Sequence, residues 1–332
     1  MSTEGTGRKK SVKGRAYGLD IEADFGLLGI SRPPDYDGSR RVTLELTSKA
    51  HLDQAIGTQP TERLVEVPGS DGRVMITVDA GRGEPGGLTL SADGFGTAWI
   101  HDDGGRVLCV PVGGPAWRWQ RFLAGQVLPF AAVLHGLEVF HASALVNGDS
   151  AIAIVAGSGV GKTSVALNLA LHGMSFLNDD VLVVEPTTGG GVLAHPGPGL
   201  ANVSTQERGL VEQIQRAGIG ARLGETEHEL RTEVRRHGRP AHLNAMFFLE
   251  RVGAGEHASV ERISPIEPSA LLGATFNLVV RTPDRLARQL DVCARLAESC
   301  AFFKVSSPPA VNASALAAEI HQTASAREPQ LS

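Results

Sequence analysis

One stretch of this chain has the residue types and spacing to do chemistry: Ala156-Gly157-Ser158-Gly159-Val160-Gly161-Lys162-Thr163, followed directly by Ser164. Glycines at alternate positions let a backbone turn its N–H groups inward round phosphate oxygens. A helix opening at the same point adds partial positive charge. The Lys162 ammonium can reach the β- and γ-phosphates of a nucleoside triphosphate, and the Thr163 hydroxyl suits Mg²⁺. This is the pattern of a phosphate-binding loop, with Ala156 where glycine is usual. Gly157, Ser158, Gly159, Val160, Gly161, Lys162, Thr163 and Ser164 are therefore the expected nucleotide-binding residues. Lysine usage sharpens the reading. Beyond Lys49 the chain holds only Lys162 and Lys304, and arginine serves the surface elsewhere.

Two carboxylates follow. Asp179 and Asp180 stand seventeen and eighteen residues past Lys162, after the short apolar run Ser175–Leu177. In a strand–helix–strand unit the second strand returns beside the first, with both carboxyl ends on one edge. Two acids at that edge face the loop. One can hold Mg²⁺ and the other can accept a hydroxyl proton. His141 is a third candidate. If Asn147-Gly148 is a two-residue hairpin turn, Val146 faces Asp149 and His141 falls opposite Ile154, at the phosphate end of the site.

The elements that must position these groups can be read outward from the loop. Val139–Val146 and Ser150–Val155 are apolar, β-branched runs on either side of Asn147-Gly148. From Lys162 to about Leu171 the apolar residues fall at helical spacing, and Gly173 supplies a left-handed stop. Ala245–Glu250 and Phe302–Val305 read as further strands, residues 266–275 and Thr282–Cys300 as helices. Thr205–Gly238 is charge-rich and reads as a mobile, partly helical excursion. Toward its end Arg231, Arg235, Arg236 and the following Arg239 form a basic cluster with His237. They and Arg251 are alternative candidates for a cation over the γ-phosphate or against an acidic substrate, or simply a solvated face. Pro115 to about Leu134 reads as a helix joining this region to what precedes it, with Trp117 and Trp119 as packing anchors.

Residues before it differ in character. Val42–Leu46, Arg73–Val78, Gly87–Ser91, Thr97–His101 and Val107–Val112 are short strands, with turn signals at Asp71-Gly72 and Asp103-Gly104. The expected organisation is a basic disordered tail over 1–15, a β-rich domain over 16–115, an α/β domain over 116–310 and a C-terminal tail over 311–332, which reads as a final short helix or a fraying end.

Bulk properties narrow the classes. With 332 residues, 42% hydrophobic and 20% charged, the chain can bury a core. A net charge of −5 gives no general attraction to nucleic acid or anionic membrane. Cys109, Cys293 and Cys300 have neither disulfide-framework nor metal-site spacing, in keeping with a reduced, cytoplasmic protein. No secretory signal and no spanning apolar stretch are present in the sequence.

His141-Ala-Ser-Ala-Leu, Ala156–Thr163 and Asn178-Asp179-Asp180, in that order and spacing, resemble the catalytic domain of HPr kinase/phosphorylase. That wider group includes kinases of peptide-tailoring clusters, such as those acting on lasso-peptide precursors. The resemblance covers residues 135–185 and thins toward 306. It implies a P-loop α/β domain similar to the nucleotide-binding part of phosphoenolpyruvate carboxykinase. It further implies His141 in the active site, Lys162 on the phosphates, Thr163 at the metal, and Asp180 as proton acceptor with Asp179 beside it. Two departures stand out. Ala194 falls where the family has an acidic metal-binding residue, and no lysine lies between 163 and 303 to match the loop tied to phosphorylase activity.

The expectation is an ATP- and Mg²⁺-dependent kinase. His141, Lys162 and Asp180 would be catalytic, with Thr163 and Asp179 at the metal. The acceptor would be a serine or threonine of a protein or peptide, without reversal of the reaction. No nucleic acid or membrane partner is expected, and a homo-oligomer is compatible with the resemblance. A nucleotide-binding regulatory module and a small-molecule kinase are the alternatives that the same residues allow.

Overall fold

The computed structural model describes residues 11–32, 39–69, 73–253, 257–276, 279–309 and 311–326. The chain divides into two compact units. Leu19–Leu123 packs with the residues up to Arg15, and Ala124–Ser332 packs with the short piece Ala16–Gly18.

The first unit is a mixed sheet built from short strands. In spatial order they are Val12–Ala16, Leu19–Ala23, Arg41–Leu46, Arg106–Pro111, Gly96–His101, Gly87–Ala92, Val74–Gly81 and Thr61–Pro68. Val12–Ala16 corrects the reading of 1–15 as a tail, since its last residues pair in a sheet, while residues 1–10 and the Asp71-Gly72 turn lie outside the described residues. The expected joining helix is split into Ala116–Phe122, a π-turn over Leu123–Val127, and Leu128–Leu134. Its first part belongs to this unit, where Trp119 packs edge-on against Phe25 with ring centroids 5.1 Å apart.

The second unit is α/β. Its mixed sheet runs, in order, through Ser175–Asn178, Ala142–Asn147, Ser150–Ala156, Ala241–Arg251, Val192–His195, Leu182–Pro186 and Glu138–Phe140. Ala301–Ser307 also pairs with Ala241–Arg251, in parallel. Side chains alternate between the two faces, as a strand's period of two requires. Ala151, Ala153 and Val155 face a core closed by the helices Pro268–Gly273 and Pro283–Ser299. Ile152, Ile154 and Ala156 face one closed by Lys162–Leu171 and Ala313–Ser325. The result is three layers, helix on sheet on helix. Of the two readings of the C-terminal segment, a final short helix or a tail, residues 313–325 form the helix, Ala313–Ser325. Asn312 caps it, and Leu316, Ala317 and Ile320 bury themselves in the core.

Three further expectations change. Val139–Val146 is two strands interrupted at His141. Glu138–Phe140 pairs with Leu182–Pro186, and Ala142–Asn147 pairs with Ser150–Ala156 and Ser175–Asn178. The hairpin pairs Asn147 with Ser150 and Ala142 with Val155, so its turn is Gly148-Asp149. Continued by one residue, this register sets His141 level with Ala156 rather than Ile154. Gly148 takes the positive φ, 56°, that the tight turn demands. Finally, Thr205–Gly238 is built rather than mobile. It holds the helix Arg208–Arg216 and the strands Gly220–Glu225 and Glu229–Val234, which form a three-stranded sheet with Leu200–Ser204.

One buried ion network ties the second helix layer to the sheet. Glu138 accepts from Arg285 Nη2 and Arg288 Nε, each at 3.2 Å. Removing one side of such a pair strands the buried charge of the other. Glu138→Ala is expected to cost about 3–5 kcal/mol, read as a lowered midpoint in denaturant unfolding. An unchanged midpoint would show the network to be energetically idle.

Candidate active site

The strand Ser150–Ala156 feeds directly into the glycine loop, and the loop opens the helix Lys162–Leu171. Gly159 and Gly161 adopt φ of 76° and 109°, conformations that favour glycine and turn successive amides toward one concavity. Gly161 caps the helix in the left-handed region. The unpaired amides of the first helical turn therefore point into the loop.

Lys162 lies in that first turn, and its side chain is only 7% exposed. Its ammonium donates to Asp180 Oδ1 at 2.6 Å and lies 3.5 Å from His141 Nε2. Thr163 Oγ1 donates to both oxygens of Asp179 at 3.0 Å, and Ser143 Oγ donates to Asp179 Oδ1 at 2.6 Å. His141, Lys162, Thr163, Asp179 and Asp180 are thus brought together, from three segments distant in sequence.

The route differs from the simple strand–helix–strand picture. Ser175–Asn178 does not lie beside Ser150–Ala156. The strand Ala142–Asn147 stands between them, antiparallel to both. Two antiparallel steps restore the direction, so the aspartates still arrive at the loop edge. Ala142–Asn147 therefore lies between the two and can contribute Ser143.

Electrostatics follow from this crowding. Burial, then the adjacent Asp180 charge, raises the Asp179 carboxyl above its ordinary range, while Lys162, Ser143 and Thr163 oppose the rise. Burial and the Lys162 charge lower His141 below 6.5, against a weaker upward pull from Asp180. The imidazole is therefore neutral at physiological pH. Its ring stacks on Phe276, with centroids 6.1 Å apart. Replacing Lys162 by Met deletes one of the two effects that depress it. The His141 titration, followed by NMR in the nucleotide-free protein, is then expected to move up toward 6.5. A midpoint that stays put would show that Lys162 does not act on the ring.

Asp180 is half-exposed and carries φ of 89°, a region that non-glycine residues rarely occupy. Such backbone costs on the order of 1–3 kcal/mol and persists where surrounding structure imposes it. Here the Val181 amide bonds the Asp179 carbonyl at 2.7 Å, closing a tight turn that carries Asp180 at its centre.

The arginine candidates separate. A methyl group built on Gly161 would lie 3.7 Å from Arg251 Nη2, so Arg251 stands against the glycine loop. Arg231 is buried and donates to Asn202 Oδ1 at 2.7 Å, and Arg236 donates to the Gly197 carbonyl at 2.9 Å. Arg235 and His237 use their backbone amides to bond Ile219 and Phe176. Ala194 lies in the apolar core of the sheet, a setting in which an acid would be buried away from the loop. Instead Glu207 reaches the helix start, accepting from Ser164 Oγ at 2.8 Å.

Sequence reasoning gave no role to Ser143 or Glu207. Ser143 had a signal, two residues past His141 on an otherwise apolar strand.

The donor set suits a hard dication. A hydroxyl and a carboxylate, Thr163 and Asp179, converge beside an amide-lined concavity, which is oxygen chemistry of the kind Mg²⁺ prefers. Among the described residues, His101, Asp102 and Asp103 of the first unit also bring their ligand atoms within 4.8 Å of one another.

No protein-family model and no curated protein matches this chain. Among solved structures it is similar to the HPr(Ser) kinase/phosphatase from Coxiella burnetii, at 12% identity and a TM-score of 0.30. That likeness spans 57% of this chain and 92% of the other. Among the described residues no helix is long and apolar enough to cross a membrane.

Proposed function

We propose that the chain is an ATP-dependent kinase that transfers the γ-phosphate to a serine or threonine hydroxyl of a protein or peptide, in the cytoplasm and without the reverse reaction. The observation that carries this reading is the convergence of Lys162 on Asp180 at 2.6 Å and of Thr163 on Asp179 at 3.0 Å, at the mouth of a glycine loop. A module that only senses nucleotide needs fewer groups at that edge than the two carboxylates and the histidine found there.

In this reading the loop amides and Lys162 grip the β- and γ-phosphates. Thr163 and Asp179 would hold Mg²⁺, which when bound supplies positive charge to the phosphate oxygens. Ser143 keeps the Asp179 carboxylate aimed at Thr163. As phosphate draws the Lys162 ammonium away, Asp180 is left to accept the proton of the attacking hydroxyl. The hydroxyl oxygen bonds the γ-phosphorus, the bond from that phosphorus to the β,γ-bridging oxygen breaks, and ADP departs with the electron pair. Neutral His141, packed on Phe276, orients Lys162 and Asp180 without adding charge. Arg251 is placed to meet the charge that develops on the transferred group.

The test is incubation of the full chain with γ-labelled ATP, Mg²⁺ and a library of serine- and threonine-containing peptides. Label on a hydroxyl residue is the expected result. Release of labelled inorganic phosphate alone, with every acceptor unlabelled, would reduce the protein to a nucleotide hydrolase.

A further inference from the structure

Three acids meet three successive residues where the helix Lys162–Leu171 begins. Lys162 donates to Asp180, Thr163 donates to Asp179, and Ser164 Oγ donates to Glu207 Oε2 at 2.8 Å. The two aspartates serve proton and metal in the transfer reading, and Glu207 has no part in it. Successive side chains leave an α-helix about 100° apart, so Ser164 departs about 200° round from Lys162. Glu207 therefore stands on the flank turned away from Asp180.

Glu207 does not act as a helix cap. No side chain caps this helix, so the amides of its first turn stay open to phosphate. Glu207 takes a buried hydroxyl instead, and its other oxygen, Oε1, has no hydrogen-bond partner among the described residues. An ionised carboxyl accepts at both oxygens and donates nothing. It therefore suits hydroxyl groups and repels phosphate.

The contact is built from both sides. Glu207 ends the short turn Thr205–Glu207, which Ser204 caps by accepting from the Gln206 amide. Thr205 ties that turn down, its amide bonding the His228 carbonyl at 3.1 Å and its hydroxyl the Glu227 carbonyl at 3.2 Å. The helix Arg208–Arg216 follows at once and buries Leu210, Val211 and Ile214 in the core that also takes Leu167 from the loop helix. On the other side Asn168 Nδ2 holds the Ser164 carbonyl at 2.8 Å. Glu207 itself stays part-exposed, so a ligand in the loop can reach it.

In a phosphate-binding loop the lysine and the following hydroxyl serve the β- and γ-phosphates and Mg²⁺, and the amides cradle the α- and β-phosphates. With the γ-phosphate at Asp180, the nucleoside leaves the loop on the side away from Asp180. Its sugar then presents two adjacent hydroxyls to that flank. A carboxylate accepting from a ribose hydroxyl is a recurrent means of holding a nucleotide. We propose that Glu207 accepts from the 2′- or 3′-hydroxyl of the bound nucleotide, so that the site selects ribonucleotides. This rests on the reading of the glycine loop as a nucleotide site and names the class of nucleotide it takes.

Calorimetry of the full chain with Mg²⁺ tests it against ADP, 2′-deoxy-ADP and 3′-deoxy-ADP. A hydrogen bond to a charged group makes the expected margin at least ~10-fold in favour of ADP over one or both deoxy forms. The form that loses more identifies the hydroxyl held. Glu207→Gln keeps the size of the side chain and removes its charge. It should erase most of that margin while the weaker deoxy form binds about as it does to the native chain. Equal binding of all three nucleotides by the native chain would overturn the contact. So would a variant that weakens all three alike, which marks a structural role. A variant that tightens all three alike would overturn it too, since Glu207 would then be competing with the α-phosphate for the helix start. Binding without ribose preference sinks the sugar contact alone, whereas no binding of any nucleotide sinks the loop reading with it.

Discussion

Replacing Lys162 by Ala is expected to abolish transfer of labelled γ-phosphate, with a loss of roughly 10³-fold or more in kcat. Two consequences add together. The buried ammonium that grips the phosphates is gone, and Asp179 and Asp180 lose the cation that reduces their mutual repulsion. Phosphate, itself anionic, would then enter a pocket dominated by carboxylates, so affinity for ATP should fall as well. A single-turnover assay with γ-labelled ATP and a serine peptide reads the first effect, and titration with a non-hydrolysable analogue reads the second. Transfer at the native rate would remove Lys162 from the mechanism, and with it the reading of the loop as a transfer site.

Asp180→Asn should behave in the opposite manner toward nucleotide. Its amide cannot accept the hydroxyl proton, and loss of a general base costs about 10²–10⁴-fold in rate. In the native protein, however, Asp180 and the phosphates compete for one ammonium, held by the carboxylate at 2.6 Å. Neutralising that competitor frees Lys162 for the nucleotide. The expected result is a variant that binds ATP as tightly as the native chain or tighter, yet transfers almost nothing. A fall in ATP affinity comparable to the fall in rate would mean that Asp180 serves binding, and the proton would need another acceptor.

The loop and the two aspartates were legible because their chemistry is local. Glycines at alternate positions with a lysine directly after the last are visible in the letters alone, and a pair of acids ending an apolar run marks a strand end. The contacts that complete the site are not local. Ser143 meets Asp179 only because the strand Ala142–Asn147 is inserted between two others, and periodicity along a strand does not say which neighbours it has. Charge density misled over Thr205–Gly238, which suggested a mobile excursion. Its apolar residues, among them Leu210, Val211, Ile214, Leu230 and Val234, in fact bury themselves in one small core with Leu167, Phe176, Ala201 and Val203. The C-terminal segment, which the sequence left between a final short helix and a fraying tail, is a packed helix. Its small alanine and serine side chains let Ala313–Ser325 lie close against Lys162–Leu171.

The turn Gly148-Asp149 closes the hairpin at the end away from the glycine loop. Strand pairing has a period of two, so a single residue inserted between Ala142 and Val146 would exchange the faces of the residues beyond it, and Ser143 would keep or lose Asp179 according to where the insertion fell. An insertion in the turn leaves every pair of the hairpin in register. The same hairpin is therefore unforgiving along its strands and permissive at its tip, which makes residues 148–149 the place to attach a fluorophore or an affinity handle. A probe there would report on the protein in use while leaving the spacing of His141, Ser143 and the loop as the fold sets it.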